Sequence, residues 1–348
     1  MKNIYIKYLL QLLMLATLFT ISCTREIEFK GSITEPKMVV NGMCSLDSLA
    51  AVEVSLSKAK YGNIQEFTRV SDARVYLHTD GQKTDQLLAI DDSSGLYIGT
   101  TKIEQGKKYA ITVEHDEYGK VRSNESATVK RVNIENSMLM SDSAQRVNTE
   151  RLPDILCKIK FSDPVDEENF YRLLVSYRFG RTYNKTDENG NEKKSITLID
   201  YHAHFESIES TDPVFMQGKT NDNMVFDESN PRYTLFTDEL INGKQYELAF
   251  NINKSMVYKI ADVDTSAECF YRVIIELQSI SKDLYYYIKS IDGANNITSG
   301  LFTEPVQVYS NINDGIGIWG MYASSVDTIK VGEFPEGGIV ESHYSISY

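Results

Sequence analysis

The stretch that decides the fold is SSGLYIGTTKIEQGKKYAITVEHDEYGKVRSNESATV, residues 93–129. Apolar and polar side chains alternate along it, which is the pattern of strands with one buried face. Its turns carry Gly106 and Gly119, and glycine reaches the positive φ of a tight turn at little cost. The predicted strands are Leu96–Thr101, Lys108–Glu114 and Val121–Thr128.

The same alternation extends toward the N-terminus. AAVEVSLSKA, residues 50–59, places three apolar side chains on one face of a strand, and ARVYLHTDGQKTDQLLAI, residues 73–90, predicts two strands about a turn near Asp80-Gly81. Short strands with regular turns are typical of a β-sandwich. We therefore predict an all-β fold in which residues 36–130 form an immunoglobulin-like sandwich.

A more polar segment, NIENSMLMSDSAQRVNTERLPD at residues 133–154, interrupts this rhythm and predicts a domain boundary near residue 131. Strands resume beyond it, with a turn at Asn242-Gly243. Residues 131–348 are therefore expected to form a larger β-rich domain with one packed helix.

That helix is predicted from SISKDLYYYIKSIDGANN, residues 279–296, and is expected near 281–292. An apolar stripe with helical spacing faces the core, Ser281 is the expected N-cap, and Gly293 suits the C-terminal end. Tyr286 points away from the stripe. We expect the tyrosines to pack the helix on a sheet; stacking on a sugar ring or a partner side chain is the alternative. The stripe consists of Leu284, Ile288 and Ile291.

Glycines alternate with large apolar residues in NINDGIGIWGMYASS, residues 311–325. Glycine inside a strand indicates a bulge or a close backbone approach. We expect a packed strand that meets the helix, with a glycine-lined partner surface as the alternative.

The N-terminus carries a targeting pattern in LLQLLMLATLFTISCTREIEFKG, residues 9–31. An apolar run too short to span a bilayer follows two lysines and ends at Ser22, directly before Cys23. This order is typical of a bacterial lipoprotein signal. We predict a signal peptide over residues 1–22, acylation of Cys23, and a lipidated linker over residues 23–35.

An ordinary secretory signal is the alternative, because Thr20 stands where a lipoprotein signal usually has leucine. Several acyl chains are needed for durable attachment, since one chain anchors a protein only marginally.

The formal net charge of −13 argues against nucleic acid as a partner and against electrostatic docking on anionic lipid. No long apolar run follows the leader. The charge favours a solvated body that its lipid holds beside the bilayer.

Three cysteines remain besides Cys23, namely Cys44, Cys157 and Cys269. None belongs to a C-x-x-C pair, so neither a zinc ribbon nor a redox motif is indicated. Each lies in an apolar, strand-like stretch, and we expect small buried side chains. A bridge between Cys157 and Cys269 is the open alternative.

YHAHFES, residues 201–207, has the spacing of a metal site. His202, His204 and Glu206 would project from one face of a strand, as a catalytic zinc requires. A solvated polar strand face has the same pattern and is the interpretation we favour. No cofactor is expected.

FSDPVDEEN, residues 161–169, concentrates four carboxylates but lacks the periodicity and glycine of an EF-hand. We expect a solvated acidic turn, with opportunistic calcium binding as the alternative. The sequence contains no nucleophile elbow, Walker or dinucleotide glycine pattern, and this favours a non-enzymatic protein. The carboxylates are Asp163, Asp166, Glu167 and Glu168.

Several stretches together resemble an uncharacterised family of Bacteroidetes outer-membrane lipoproteins, described as a domain of unknown function. They include the leader, MVVNGMCSLDSLAAVEVSLSKA, CFYRVIIELQSISKDLYYYIKS and, most specifically, PVQVYSNINDGIGIWG. The resemblance implies an accessory protein beside TonB-dependent outer-membrane receptors, and it transfers no catalytic residue. It also implies exposure at the cell surface, with Glu26 and Glu28 as a short acidic export signal after Cys23.

The same resemblance implies O-glycosylation at Asp-Ser/Thr-apolar triplets. Three triplets fit, and their acceptors are Ser48, Ser143 and Thr328.

The function expected from the sequence is a non-enzymatic accessory or ligand-capturing subunit of a TonB-dependent nutrient uptake complex, with an unidentified ligand. A surface adhesin or structural module is the first alternative. A metal-dependent hydrolase that uses His202, His204 and Glu206 is the second.

Overall fold

The architecture is that of a computed structural model, and strands dominate it. It describes residues 35–57, 68–141, 155–165, 167–186, 190, 192–202, 208–216, 234–252, 269–296, 307–331 and 339–347. Within these ranges the chain forms strands β1 to β19, one α-helix, α1 (Lys282–Asn296), and a 3-10 turn at Pro213–Met216. The predicted all-β fold is confirmed.

The first nine strands come from the N-terminal part of the chain. They are β1 (Met38–Ser45), β2 (Leu49–Leu56), β3 (Arg74–Thr79), β4 (Gln82–Ala89), β5 (Leu96–Lys102), β6 (Lys108–His115), β7 (Gly119–Ser123), β8 (Ser126–Ala127) and β9 (Ile134–Ser141).

The other ten strands follow residue 154. They are β10 (Ile155–Ser162), β11 (Phe170–Thr186), β12 (Glu192–His202), β13 (Ile208–Glu209), β14 (Thr234–Thr237), β15 (Gln245–Ile252), β16 (Cys269–Ile280), β17 (Ile312–Asn313), β18 (Ile316–Val331) and β19 (Ile339–Ser347).

Two sheets contain these strands. The larger has the order β17-β7-β6-β3-β4-β5-β2-β1-β18-β16-β11-β12-β19, with β14 beside β11 and β8 beside β6. The smaller has the order β13-β15-β10-β9. Most pairs are antiparallel, whereas β1 with β18 and β12 with β19 run parallel.

The N-terminal strands enclose one hydrophobic core. Inward side chains of β3, β6 and β7 pack with those of β5, β2 and β1, so that the larger sheet folds over itself as a sandwich. Trp319 of β18 is fully buried in this core, and its indole N–H donates to the Tyr109 carbonyl at 3.0 Å. Gly42 makes room for the ring, because an added Cβ would lie 2.5 Å from Trp319 Cε3.

Residues on both sides of the division predicted near residue 131 therefore share a core. Trp319, Met321 and Ala323 belong to the same buried cluster as the strands of residues 38–123. Sequence periodicity identifies which side chains turn inward but does not identify the strand that covers them.

Strand β18 is long enough to serve both parts of the fold. Its first half pairs in parallel with β1, from Val39 with Ile316 to Ser45 with Tyr322. Its second half pairs antiparallel with β16, from Ile280 with Tyr322 to Tyr271 with Val331. The strand thus joins the N-terminal sandwich to the second core.

The second core lies between the smaller sheet and the β18-β16-β11 part of the larger one. Cys157, Ile159 and Phe161 of β10 are fully buried there, in one cluster with inward residues of β11 and β16. Side chains also tie β9 to β18, since the Ser137 hydroxyl donates to Asp327 Oδ2 at 2.6 Å.

Helix α1 packs on the opposite face of β18, as expected for a strand that meets the helix. An added Cβ at Gly320 would lie 2.8 Å from Leu284 Cβ, so this glycine permits the close approach. Leu284 and Ile288 are buried and Ile291 is half-buried, which confirms the stripe. The helix continues past Gly293, so the expected end there is wrong.

Ser281 has a different partner from the one expected of an N-cap. Its hydroxyl accepts the Met321 N–H at 3.1 Å, and its own N–H donates to the Met321 carbonyl at 2.8 Å. The residue therefore fixes the start of α1 to β18.

The cysteine predictions are resolved for two residues. Cys44 and Cys157 are buried free thiols, as expected, and burial raises the pKa of Cys44 to about 11 and that of Cys157 to about 12. A Cys157–Cys269 bridge is therefore not formed.

In the described ranges no helix has both the length and the apolarity that crossing a bilayer demands.

Two glycine substitutions test the pairing of β1 with β18. Gly317 has a φ of 120°, and an added Cβ would lie 2.1 Å from the Val40 carbonyl oxygen. Gly106 also has a positive φ, 82°, but nothing lies within 4 Å of an added Cβ. Gly317→Ala should lower the free energy of unfolding by about 3 kcal/mol or more, and Gly106→Ala by about 1–2 kcal/mol.

Denaturant unfolding of both variants measures this difference. Equal losses would mean that backbone strain alone matters and that the β1–β18 contact at Gly317 is not tight.

Candidate functional site

An open cavity of about 620 Å³ lies beside the first turns of α1, and we call it the aromatic cleft. Phe170, Tyr285 and Tyr286 form its floor. Its rim comes from two loops, with residues 167–168 between β10 and β11 and residues 238, 239 and 242 between β14 and β15. A neighbouring cavity of about 600 Å³ shares Phe170 and the two glutamates beside it.

The floor is a cluster of touching rings. The Phe170 and Tyr285 centroids are 4.9 Å apart, and Tyr286 stands edge-on to Tyr285 at 5.6 Å. Phe170 and Tyr285 are buried, whereas Tyr286 is 40% exposed. The buried rings hold the helix on the sheet, as predicted, and Tyr286 offers aromatic surface to the cleft.

Tyr309 packs against Tyr286 and bonds to α1. The two ring centroids are 6.1 Å apart, and the Tyr309 hydroxyl donates to Asp283 in the first turn of α1. The Tyr309 N–H donates to Ser290 Oγ at 2.8 Å. Burial and the bond to Asp283 raise the pKa of Tyr309 to about 12, so its hydroxyl stays a donor at neutral pH.

Charged groups surround this floor. The cleft is lined by the carboxylates of Glu167, Glu168, Asp238 and Glu239, and by one ammonium group, that of Lys289. Burial, followed by the neighbouring Tyr286 and Glu239, raises the pKa of Tyr285. The charged side chains that line the cleft carry a net negative charge.

Two lysines of the chain already lie over rings of the floor. Lys282 Nζ is 5.7 Å from the Phe170 centroid, and Lys289 Nζ is 5.5 Å from the Tyr285 centroid. Lys282 Nζ also pairs with Glu168 at 2.8 Å, and that hydrogen bond raises the Lys282 pKa. Both side chains of this pair are more than half exposed, so the pair exchanges easily with other charges.

A buried carboxylate, Asp238, holds the start of β11 against the second rim loop. Its Oδ2 accepts the Asn169 N–H at 2.9 Å and the Asn169 amide at 3.2 Å. Its own N–H donates to the Asn169 carbonyl at 3.1 Å. These bonds fix the chain directly before Phe170.

A second buried carboxylate, Asp163, locks the two rim loops together. It accepts the Tyr171 hydroxyl at 2.5 Å on Oδ1 and the Gly243 N–H at 2.9 Å on Oδ2. Burial raises the pKa of Asp163, and the two hydrogen bonds act against that rise. The rim is consequently rigid, because releasing it would leave buried polar groups without partners.

The acidic turn predicted at residues 161–169 is thus only partly solvated. Asp163 is 5% exposed and serves the fold, so its predicted exposure is wrong. Glu168 is exposed and Glu167 is half-buried, and Glu167 pairs with Lys130. Asp166 lies outside the described residues. The described residues contain no group of carboxylates, histidines or cysteines arranged to hold a metal ion.

The predicted metal trio falls largely outside the described residues. His202 ends strand β12, but its side chain is not described, and His204 and Glu206 lie outside the described ranges. The zinc hypothesis stays a prediction.

The predicted modification sites divide in the same way. Cys23 and Ser143 lie outside the described residues. Ser48 is half-buried in the turn after β1, where its hydroxyl donates to the Ser45 carbonyl at 2.7 Å. Thr328 is exposed on β18. Acylation and glycosylation stay predictions.

The aromatic cleft combines residues that sequence reasoning did not connect. The tyrosines of α1 and the glutamates of residues 167–168 were visible as separate features, whereas Glu239 and Phe170 carried no signal of their own. Such a cleft can stack a flat or cationic group on Tyr286 and bind its polar atoms with the rim carboxylates.

Replacing Asp163 tests the rigid rim. In Asp163→Asn an amide N–H₂ faces either the Tyr171 hydroxyl or the Gly243 N–H, which leaves a buried donor unpaired. The free energy of unfolding should fall by about 1–3 kcal/mol. Asp116→Asn is the matched control, since Asp116 is 85% exposed in a surface pair with Arg74, and it should change stability by less than about 1 kcal/mol.

Chemical denaturation at neutral pH compares the two variants. An Asp163→Asn protein as stable as the control would show that this carboxylate does not lock the loops.

Comparison with known proteins identifies a family but no activity. No curated protein matches the chain. The family described as "Domain of unknown function (DUF4249)" matches residues 24–328, which is most of the chain. The protein therefore belongs to the DUF4249 family.

Proposed function

We propose that this protein is a non-enzymatic, lipid-anchored protein of the outer membrane that captures a ligand for a TonB-dependent receptor. The aromatic cleft is the observation that supports the capture role. It is open, its floor presents an exposed aromatic side chain, and buried hydrogen bonds hold its rim. A preformed site of this kind binds without first ordering its loops.

The proposal that the protein is not an enzyme rests on its sequence. The chain lacks the nucleophile, phosphate-binding and dinucleotide motifs named above. The cleft also fits binding better than catalysis, since its polar groups surround a flat aromatic floor rather than a nucleophile paired with a base.

Anchoring and location are proposed from the leader. Acylated Cys23 would hold the protein on the outer membrane, facing the cell surface. From Cys23 to Met38, where β1 begins, a fully extended chain spans at most about 50 Å. The cleft would therefore remain close to a receptor in the same membrane.

A pull-down tests this proposal. Tagged full-length protein is recovered from detergent-solubilised outer membranes, and its partners are identified by mass spectrometry. We expect a TonB-dependent receptor in near-equal amount. Cys23→Ala is the control, and it should lose both the membrane association and the receptor.

Absence of any receptor, under conditions that keep known uptake complexes intact, would overturn the accessory role. Normal nutrient uptake after deletion of the gene would favour the adhesin instead.

A further inference from the structure

We propose that the aromatic cleft binds a cationic ligand, namely a primary ammonium or guanidinium group such as a basic peptide carries. This inference rests on the proposed function, because it names the ligand class of the same capture site. Its basis is the combination of an exposed aromatic ring, an acidic rim and lysines already drawn onto the floor.

The charge of the cleft favours a cation. Four acidic side chains and Lys289 line it, and Lys130 and Lys282 pair with two of the glutamates, so one negative charge remains to attract an incoming cation. The formal charge of the whole chain, −13, acts in the same direction at longer range. A neutral sugar would gain nothing from this field.

Two of the chain's own cations already lie over rings of the floor. Lys282 and Lys289 place their ammonium groups 5.7 Å from the Phe170 centroid and 5.5 Å from the Tyr285 centroid. These distances are within the range of cation–π attraction. Two buried rings of the floor therefore already have an ammonium group of the chain within cation–π range, whereas Tyr286 is the exposed ring of the floor.

One ring of the floor remains accessible to a ligand. Tyr286 is 40% exposed, and its contacts with Tyr285, Phe170 and Tyr309 fix its orientation. Glu239, whose side chain is exposed, lines the same cleft and supplies a carboxylate for a cation that binds there. A ring face next to a carboxylate matches a cationic head on an apolar stem, as in a lysine or arginine side chain.

The rim glutamates can also release their present partners. Glu168 pairs with Lys282 at the surface, and both side chains are more than half exposed. Exposed pairs contribute little stability, so a ligand cation can replace Lys282 at small cost. By contrast, Asp163 and Asp238 are buried and bonded to the backbone, and they keep the cleft in shape while the ligand changes.

Calorimetric titration of the full chain in a neutral detergent tests the inference. The probes are a tetra-lysine peptide, the same peptide with acetylated side chains, cadaverine, and the neutral sugar cellotetraose. We expect tetra-lysine to bind, with affinity that falls as salt rises. Cadaverine should bind more weakly at the same place, and the acetylated peptide and the sugar should not compete.

Variants locate the binding. Tyr286→Leu keeps an apolar side chain but removes the π face, so tetra-lysine affinity should fall roughly three- to thirty-fold. Tyr286→Phe keeps the ring and should stay within about twofold of the parent. Glu239→Gln should weaken binding by about two- to five-fold, whereas Glu117→Gln, an exposed carboxylate outside the cleft, should have no effect.

Glu239→Lys gives a second test that does not depend on the fold of the Tyr286 variants, because residue 239 is exposed. It should weaken tetra-lysine binding more than Glu239→Gln does. Equal affinity in the parent, Tyr286→Leu and Glu239→Lys would overturn the inference. So would tighter binding of cellotetraose or of the acetylated peptide.

The result can be separated from that of the pull-down. A protein that recovers a receptor but does not bind tetra-lysine keeps its accessory role and loses the proposed ligand class. A protein that binds tetra-lysine through Tyr286 and recovers no receptor keeps the ligand class and loses the accessory role.

Discussion

The parallel pairing of β1 with the first half of β18 is the constraint on which the rest of the structure depends. It brings residues 39–45 beside residues 316–322 and buries Trp319 in the N-terminal core. The indole N–H reaches the Tyr109 carbonyl, and the side chain of Asn311 bonds both the N–H and the carbonyl of Trp319. The indole N–H, the backbone N–H and the carbonyl of Trp319 therefore all have hydrogen-bond partners, as polar groups in a buried core require.

The aromatic cleft depends on the same strand. Helix α1 lies against Gly320, and Ser281 bonds the backbone of Met321. Strand β18 therefore fixes how closely the helix packs on the sheet and where the helix begins. The helix then carries Tyr285 and Tyr286 to the rim loops. Two buried carboxylates hold those loops, and burying them is costly unless each accepts hydrogen bonds. That cost explains why both are bonded to backbone N–H groups rather than left to solvent.

The cleft separates side chains that maintain the fold from those that remain free to bind. Asp163 and Asp238 are used inside the protein, whereas Glu239 and Tyr286 face outward. The proposed capture role needs both parts, a rigid frame and an accessible polar and aromatic surface. The description of the DUF4249 family, to which the chain belongs, assigns no activity.

The sequence by itself determined strands on both sides of residues 133–154, their inward faces, the buried thiols of Cys44 and Cys157 and the stripe of α1, because period-two and helical patterns are local properties. It did not identify β9 (Ile134–Ser141), which lies in the polar segment predicted as a boundary. It did not determine that Trp319 closes the N-terminal core, since nothing local records a partner more than 200 residues away. It also could not separate Asp163 from its exposed neighbours, because burial of a carboxylate depends on the distant Tyr171 and Gly243 groups that bond it. Tertiary structure alone joined Phe170, Glu239 and Tyr286 into one cleft, because they lie on three elements that meet only when the sheets pack.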